Sequence, residues 1–163
     1  MTVRAIAVPQ DALLQKYAKG DEAYTDCFAV TSRVEADLPA FIEAFYTTWL
    51  FRLERFVLML ALRRRIRDRD VVALATGEAE RFAVWTVEAG DAAQILLRES
   101  SGATRSYLAV RLDEAGRTRL LFGSAVVTRQ GAEMSSLVRI LMPLHLLYSR
   151  ALLSLAERRL RRG

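Results

Sequence analysis

The stretch MSSLVRILMPLHLLYSRALLSLAERRLRRG, residues 134–163, decides the fold. Wound at about 100° per residue, it places Arg139, Pro143, Leu146, Arg150, Ser154, Glu157 and Arg161 on one stripe. Met134, Val138, Leu141, His145, Tyr148, Leu152 and Ala156 fall on the opposite one. An amphipathic helix of that length must bury its apolar stripe against another element, and the stripe carries the single histidine of the chain. His145 is therefore expected to face the interior.

What the helix packs against is written just upstream. Between Phe82 and Thr128 the hydrophobic period changes from helical to two. Phe82 to Glu88, Ala93 to Glu99, Thr104 to Leu112 and Thr118 to Thr128 read as strands. Ala89-Gly90-Asp91, Ser100-Ser101-Gly102 and Asp113-Glu114-Ala115-Gly116 supply the turns between them. Connections that short permit hairpins and nothing else, so the strands form an antiparallel meander.

Further toward the N-terminus, Asp11 is placed to cap a short helix through Ala18, stopped by Gly20. Ala23 to Val30 is another strand. Asp37 followed by Leu38-Pro39 starts a helix, with the proline where its missing N–H does no harm. The helical pattern runs to about Arg65 with a break near Thr47-Thr48, and Asp68 and Gly77 bracket a further short helix. The fold class is α+β: an antiparallel sheet of about five or more strands packed on a long C-terminal helix, with a helical insertion after the first strand. At 163 residues the chain reads as a single domain, 1–163, in which residues 1–21 are an N-terminal extension with a short helix and residues 22–162 the core. A chain of that size buries roughly 70% of its unfolded surface and needs no metal or disulfide to fold.

Composition excludes several functions. The net charge is +5, but Lys16 and Lys19 are the only lysines; with abundant alanine and leucine, the arginine excess points to a GC-rich bacterial genome rather than to a nucleic-acid partner. The local clusters, Arg63-Arg64-Arg65 and Arg158-Arg159 with Arg161-Arg162, sit at expected helix ends, where cations complement the helix dipole. Nucleic-acid binding calls instead for a basic face interleaved with aromatics. The apolar runs Trp49 to Leu62 and Leu137 to Leu155 are interrupted by Arg52, Glu54 and Arg55 and by Arg139, His145 and Arg150, so neither reads as a membrane span. The first residues lack a signal-peptide core, and the lone Cys27 cannot pair within the chain; a cytoplasmic location and a buried strand position for Cys27 are expected. No Gly-rich phosphate loop, nucleophile elbow or Cys/His cluster is present, which leaves no metal site and no cofactor to expect.

Two residues stand out as carriers of chemistry. An imidazole in an apolar setting stays neutral and able to act as base or hydrogen-bonding group, which makes His145 the first candidate; a histidine satisfied by one buried partner is the plain alternative. Glu54 is the second, since it shares a helix face with Leu50, Val57, Leu58 and Ala61 and so must be paired or protonated. A structural ion pair with Arg81 or Arg105 would meet that need. On the sheet, alternation separates Ala83, Trp85 and Val87 from Phe82, Val84, Thr86 and Glu88, and Ser106, Leu108, Val110 and Leu112 from Arg105, Tyr107, Ala109 and Arg111. The arginines mark the second of those faces as the solvent side. Leu120, Phe122, Ser124 and Val126 form the inner set of the last strand. A pocket under the terminal helix would then be lined by Trp85, Ser106, Leu108, Phe122, Ser124, His145 and Tyr148, mostly apolar with a few hydrogen-bonding groups, as small-molecule sites are.

The order of elements resembles the helix-grip architecture of the START and polyketide-cyclase-like (SRPBCC) superfamily, in which a curved antiparallel sheet wraps a C-terminal helix around a cavity. The segments Tyr24-Thr25-Asp26-Cys27-Phe28, Leu50-Phe51-Arg52-Leu53-Glu54-Arg55, Thr104-Arg105-Ser106-Tyr107-Leu108, Leu121-Phe122-Gly123-Ser124-Ala125-Val126 and Leu144-His145-Leu146-Leu147-Tyr148-Ser149-Arg150 are also similar to a bacterial family of unknown function, over about residues 22 to 160. That family assigns no catalytic residues to carry over. The resemblance implies a hydrophobic or amphipathic small molecule held between sheet and terminal helix. A second expectation is a cyclase-, isomerase- or hydratase-like reaction using His145 with Glu54. A third is an interaction module, in which the apolar helix from Trp49 to Leu62 lies on an anionic membrane surface or buries itself in a homodimer.

Overall fold

A computed structural model describes residues 2–20, 23–53, 68–127 and 136–162, the last segment with its side chains from Pro143 onward. The strands are β1 (Arg4–Ala5), β2 (Ala23–Thr31), β3 (Arg81–Phe82), β4 (Trp85–Gly90), β5 (Gln94–Glu99), β6 (Thr104–Leu112) and β7 (Thr118–Val127). The helices are α1 (Gln15–Ala18), α2 (Leu38–Tyr46), α3 (Asp68–Ala75) and α4 (Ser136–Leu160), and a helical turn opens at residues 49–53. All strands pair antiparallel in one seven-stranded sheet of order β1-β2-β7-β6-β5-β4-β3. The α+β helix-grip-like fold expected from the sequence is the observed one. The meander β4 to β7 follows the hairpins that the turns dictate. β2 closes on β7, so α2 and α3 carry the chain from one side of the sheet back to the far edge.

Local chemistry explains most boundaries. Asp37 caps α2 by accepting from Ala40 N–H at 2.9 Å, and Thr47 ends it. Gly77, at φ +77°, takes the left-handed conformation that stops α3. Asp11 does not cap α1 as its sequence position suggested; the N-cap position is Leu14, and the Asp11 carboxylate instead meets Arg111 on β6 at 2.5 Å. The expected strand from Phe82 is divided. Ala83 adopts φ +55° and, with Val84, turns the chain tightly, so Phe82 pairs opposite Trp85 and both fall on the inner face. Alternation across that turn had put them on opposite faces.

The inner face carries a row of directly opposed residues, Phe28, Phe122, Leu108 and Ile95, one on each of four neighbouring strands. Against this row pack α2, α3 and α4. Phe45 of α2 stands with its ring centroid 4.8 Å from Phe122, and Tyr46 lies 4.8 Å from Phe51 and 5.3 Å from Phe82. Such offset and edge-on pairs add to what burial alone contributes. On α4 the buried arc is Ser149, Leu152, Leu153, Ala156 and Glu157. Glu157 thus lies on the buried side rather than on the solvent stripe, because the arc is turned toward Ser149 and Leu153 and leaves His145 near its edge. Its carboxylate meets Arg161 Nε at 3.3 Å, one turn on.

The outer face is not the solvent side that its arginines suggested. Arg105, Tyr107 and Ala109 are buried there together with Cys27, Ala29, Leu96 and Leu121 beneath the segment from Ile6 to Tyr17. Leu14 plugs into the sheet at Gly123: a Cβ on that glycine would stand 2.6 Å from Leu14 Cδ2 and 2.9 Å from the Asp26 carbonyl oxygen. Polar contacts pin the segment down. Gln94 Oε1 accepts from Leu13 N–H at 3.0 Å and from Tyr107 O–H at 2.9 Å. Glu88, displaced outward where the β4–β5 register shifts between Val87 and Ala89, accepts from Tyr17, Lys16 and Arg105. Burial pushes the Glu88 carboxyl up, but the hydrogen bonds from Tyr17 and Lys16 and the Arg105 charge outweigh it and hold the group below the usual glutamate range. Cys27 lies in this layer with its thiol pushed up to about 12 by burial and by the Asp26 charge, which leaves it inert.

Two outcomes follow from this layer. Gly123→Ala should destabilise the fold by about 1–3 kcal/mol in denaturant titration, with part of the loss recovered in the Leu14→Ala background because the Leu14 collision is then relieved. Full additivity of the two changes would refute the plug. A glutamate held low in the folded state contributes stability that is present above its unfolded value and lost as pH falls through the folded one. The wild type should therefore lose stability relative to Glu88→Gln as pH drops from about 5 to about 3, and parallel pH curves would refute the assignment.

Candidate functional site

Across the sheet, the inward row next to Phe28 and Phe122 is polar. Asp26, Ser124 and Ser106 stand directly opposite one another on β2, β7 and β6. Asp26 shares its parity with Phe28 and Val30, so its carboxylate is turned into the apolar face, where only 6% of the side chain is exposed. A carboxylate in that position has to be matched by donors. Asp26 Oδ1 accepts from the Ser124 backbone N–H at 3.1 Å and from the Ser124 hydroxyl at 2.8 Å. Asp26 Oδ2 lies 3.0 Å from His145 Nε2 on α4.

These contacts fix the histidine tautomer. The Ser124 hydroxyl gives its one hydrogen to Asp26, so its oxygen meets His145 Nε2, 2.9 Å away, as an acceptor. A bare Nε2 lone pair would also confront the carboxylate oxygen. Both neighbours therefore require a hydrogen on Nε2, shared between Asp26 and Ser124, so that in the neutral ring the lone pair falls on Nδ1. His145 is about one-third exposed, and Nδ1 has no protein partner among the described residues.

A cavity of about 230 Å³ adjoins the imidazole between the inner sheet face and α4. The structure brings Trp85, Ser106, Phe122, Ser124, His145 and Tyr148 to its wall. Leu108 does not reach it: the side chain is fully buried in the apolar core, one step along the strand from the polar row. Phe45, Tyr46 and Phe51 close one side, and the Tyr46 hydroxyl stands 3.3 Å from Ser106 Oγ. Trp85 Nε1 and Ser149 Oγ, on two residues that line it, are themselves packed out of reach of solvent and have no hydrogen-bond partner among the described residues. Ser149 follows His145 by four residues on α4, so the two side chains are neighbours on one helix face. A wider groove of about 840 Å³ between α2 and the end of α4 is an open trough bordered by Arg52, Arg158 and Arg159, with Glu35 and Glu43.

Glu54, the carboxylate expected beside His145, lies outside the described residues, as does most of the stretch Trp49 to Leu62. Within the described part of that stretch, Trp49 is 65% and Leu53 56% exposed. Arg105, named as a partner for Glu54, is bound to Glu88 at 2.6 Å on the outer face. The carboxylate that meets the imidazole is Asp26, which sequence reasoning passed over. Its signal was present: in Tyr24-Thr25-Asp26-Cys27-Phe28 a charged residue occupies the same alternation as Phe28 and Val30. Among the described residues no helix is long and apolar enough to cross a membrane, and no group of His, Cys, Asp and Glu is placed to hold a metal ion.

No family model matches the chain, and no curated protein matches it. Among solved structures it is similar to one described as the crystal structure of Ara h 8.0201, with 10% identity over 86% of this chain and 99% of that chain and a TM-score of 0.37. So loose an overlap says nothing of chemistry, and the helix-grip-like description rests on this chain's own strand order and terminal helix.

Proposed function

We propose that this protein binds a small apolar or amphipathic molecule, with its apolar body against Trp85, Phe122 and Tyr148 and its polar end among Ser106, Ser124 and His145. The observation that carries the reading is the cavity beside His145, whose wall joins the side chains of Trp85, Phe122 and Tyr148 to the polar row of Ser106, Ser124 and His145.

Size limits the ligand. A dry cavity of about 150 Å³ accommodates benzene, so a space of about 230 Å³ suits one ring with a short polar substituent, or a short acyl chain. A long lipid would not fit without movement of the surrounding helices.

The test is a titration with phenylacetone, one ring bearing a three-carbon ketone arm, followed by two-dimensional NMR. Binding with Kd on the order of 0.1–1 mM is expected for so small a ligand, with the Trp85 indole N–H resonance shifted and that of the exposed Trp49 unmoved. Ser106→Phe, which fills the void, should abolish the shift while the folded spectrum persists. A Trp85 signal indifferent to the ketone at saturating concentration contradicts the reading.

A further inference from the structure

We infer that the cavity takes a small organic ammonium ion with an aryl body, its charge held between the aromatic wall and the Asp26 carboxylate, a proposal that rests on the ligand-binding reading above and names its ligand class. Charge is the first reason. Asp26 is all but buried against Ser124 and His145, two residues of the cavity wall, and its donors are the Ser124 N–H, the Ser124 hydroxyl and His145 Nε2–H. With a neutral ring this unit carries one full negative charge, and protonating the ring brings it to zero but never above. Arg105 is the one arginine or lysine among the described residues of the wall, and its guanidinium is spent on Glu88 at 2.6 Å and on the carbonyl oxygens of Gly102 and Thr104. Arg150 lies 5.3 Å from the Phe28 ring and is exposed, so solvent screens its charge.

Hydrogen bonding and shape point the same way. Ser124 gives its single hydrogen to Asp26, and His145 Nε2–H is shared between Asp26 and Ser124, so this part of the polar row has already used its donors. Groups in that state suit a ligand that brings hydrogens, as an ammonium does, rather than one that brings a carboxylate. Phe45, Tyr46, Phe51, Trp85, Phe122 and Tyr148 all stand in the wall. Their planes are steeply inclined, Phe45 to Tyr46 at 82°, Tyr46 to Phe51 at 73° and Phe45 to Phe122 at 41°, so they do not form a parallel-sided slot for a flat ligand. Aromatic rings gathered about a cation stabilise it through their electron-rich faces. Burying an ammonium is costly unless a counter-charge and close contacts replace its water. Asp26 supplies the first and the rings the second. A carboxylate of the same size would face the Asp26 charge with no free cation in the described wall to offset it. The volume of about 230 Å³ suits one ring and a short charged arm.

Three probes of similar size and different charge test this: phenethylammonium, phenylacetone and phenylacetate, each titrated into isotope-labelled protein at about pH 8, where the amine is charged, and followed at the Trp85 indole N–H. The ammonium is expected to bind about ten-fold more tightly than the neutral ketone, or better, and phenylacetate to leave the signal unmoved at concentrations that saturate the ketone. Asp26→Asn, which removes the charge and keeps the shape, should weaken the ammonium by about ten-fold while the Kd of the ketone changes less than about two-fold. A general loosening of the site would weaken both alike. Should that variant not fold, the order of affinities in the wild type decides alone. An ammonium that binds no more tightly than the ketone, or a phenylacetate that binds as well as either, overturns the proposal and leaves ligand binding standing. A Trp85 signal indifferent to all three removes both.

Discussion

A buried carboxylate ties the terminal helix to the sheet. Asp26 sits on the apolar side of β2, and its charge is tolerated because Ser124 on β7 offers a backbone N–H and a hydroxyl while α4 offers the imidazole of His145. Taking away one partner of such a group leaves a charge or a dipole unmatched in the interior, at a cost of about 3–5 kcal/mol. The contact constrains register as well as energy. A one-residue slip of β2 along β7 would carry Asp26 to the outer face, into the layer of Leu14 and Tyr107, and bring Cys27 inside. It also fixes the rotation of α4: with His145 held at Asp26, Ser149, Leu152, Leu153 and Ala156 must point into the core.

The two faces of the sheet are built on different principles, and only one was legible in the sequence. The inner face follows from alternation and from the long amphipathic helix that needs covering, so the meander, its turns and the place of α4 could be read from residues 82–163. The outer face reads as solvent-exposed by the same rule, since Arg105 and Arg111 lie on it. It is covered all the same, because the segment of Leu13 and Leu14 finds partners there for its backbone and charges: Gln94, Glu88 and Arg111. Long-range side-chain pairing of that kind leaves no periodic trace. The tight turn at Ala83-Val84 escaped for a related reason, since neither residue is a turn former, and the pairing of Phe82 with Trp85 is set by the sheet rather than by local preference.

The candidate site divides in the same way. His145 was evident as the one polar side chain on an apolar helical stripe, and Ser106 and Ser124 as hydroxyls on inward strand positions. Leu108, named for the same pocket by the same alternation, belongs instead to the solid core one step along, because alternation assigns a face and not a depth. Asp26 required knowing that β2 lies next to β7, a pairing across almost a hundred residues that no local pattern announces. Only that pairing turns three separate polar residues into one hydrogen-bonded unit beside a void.

The most direct measurement of this account is a double-mutant cycle between Asp26→Ala and His145→Ala, with unfolding free energies taken from denaturant titrations of all four proteins. The account predicts a coupling of about 1–3 kcal/mol, the double variant being less damaged than the sum of the single ones, because each alanine already removes the other's partner. Effects that add to within about 0.5 kcal/mol would contradict it, since they would mean that the helix is held to the sheet without this contact.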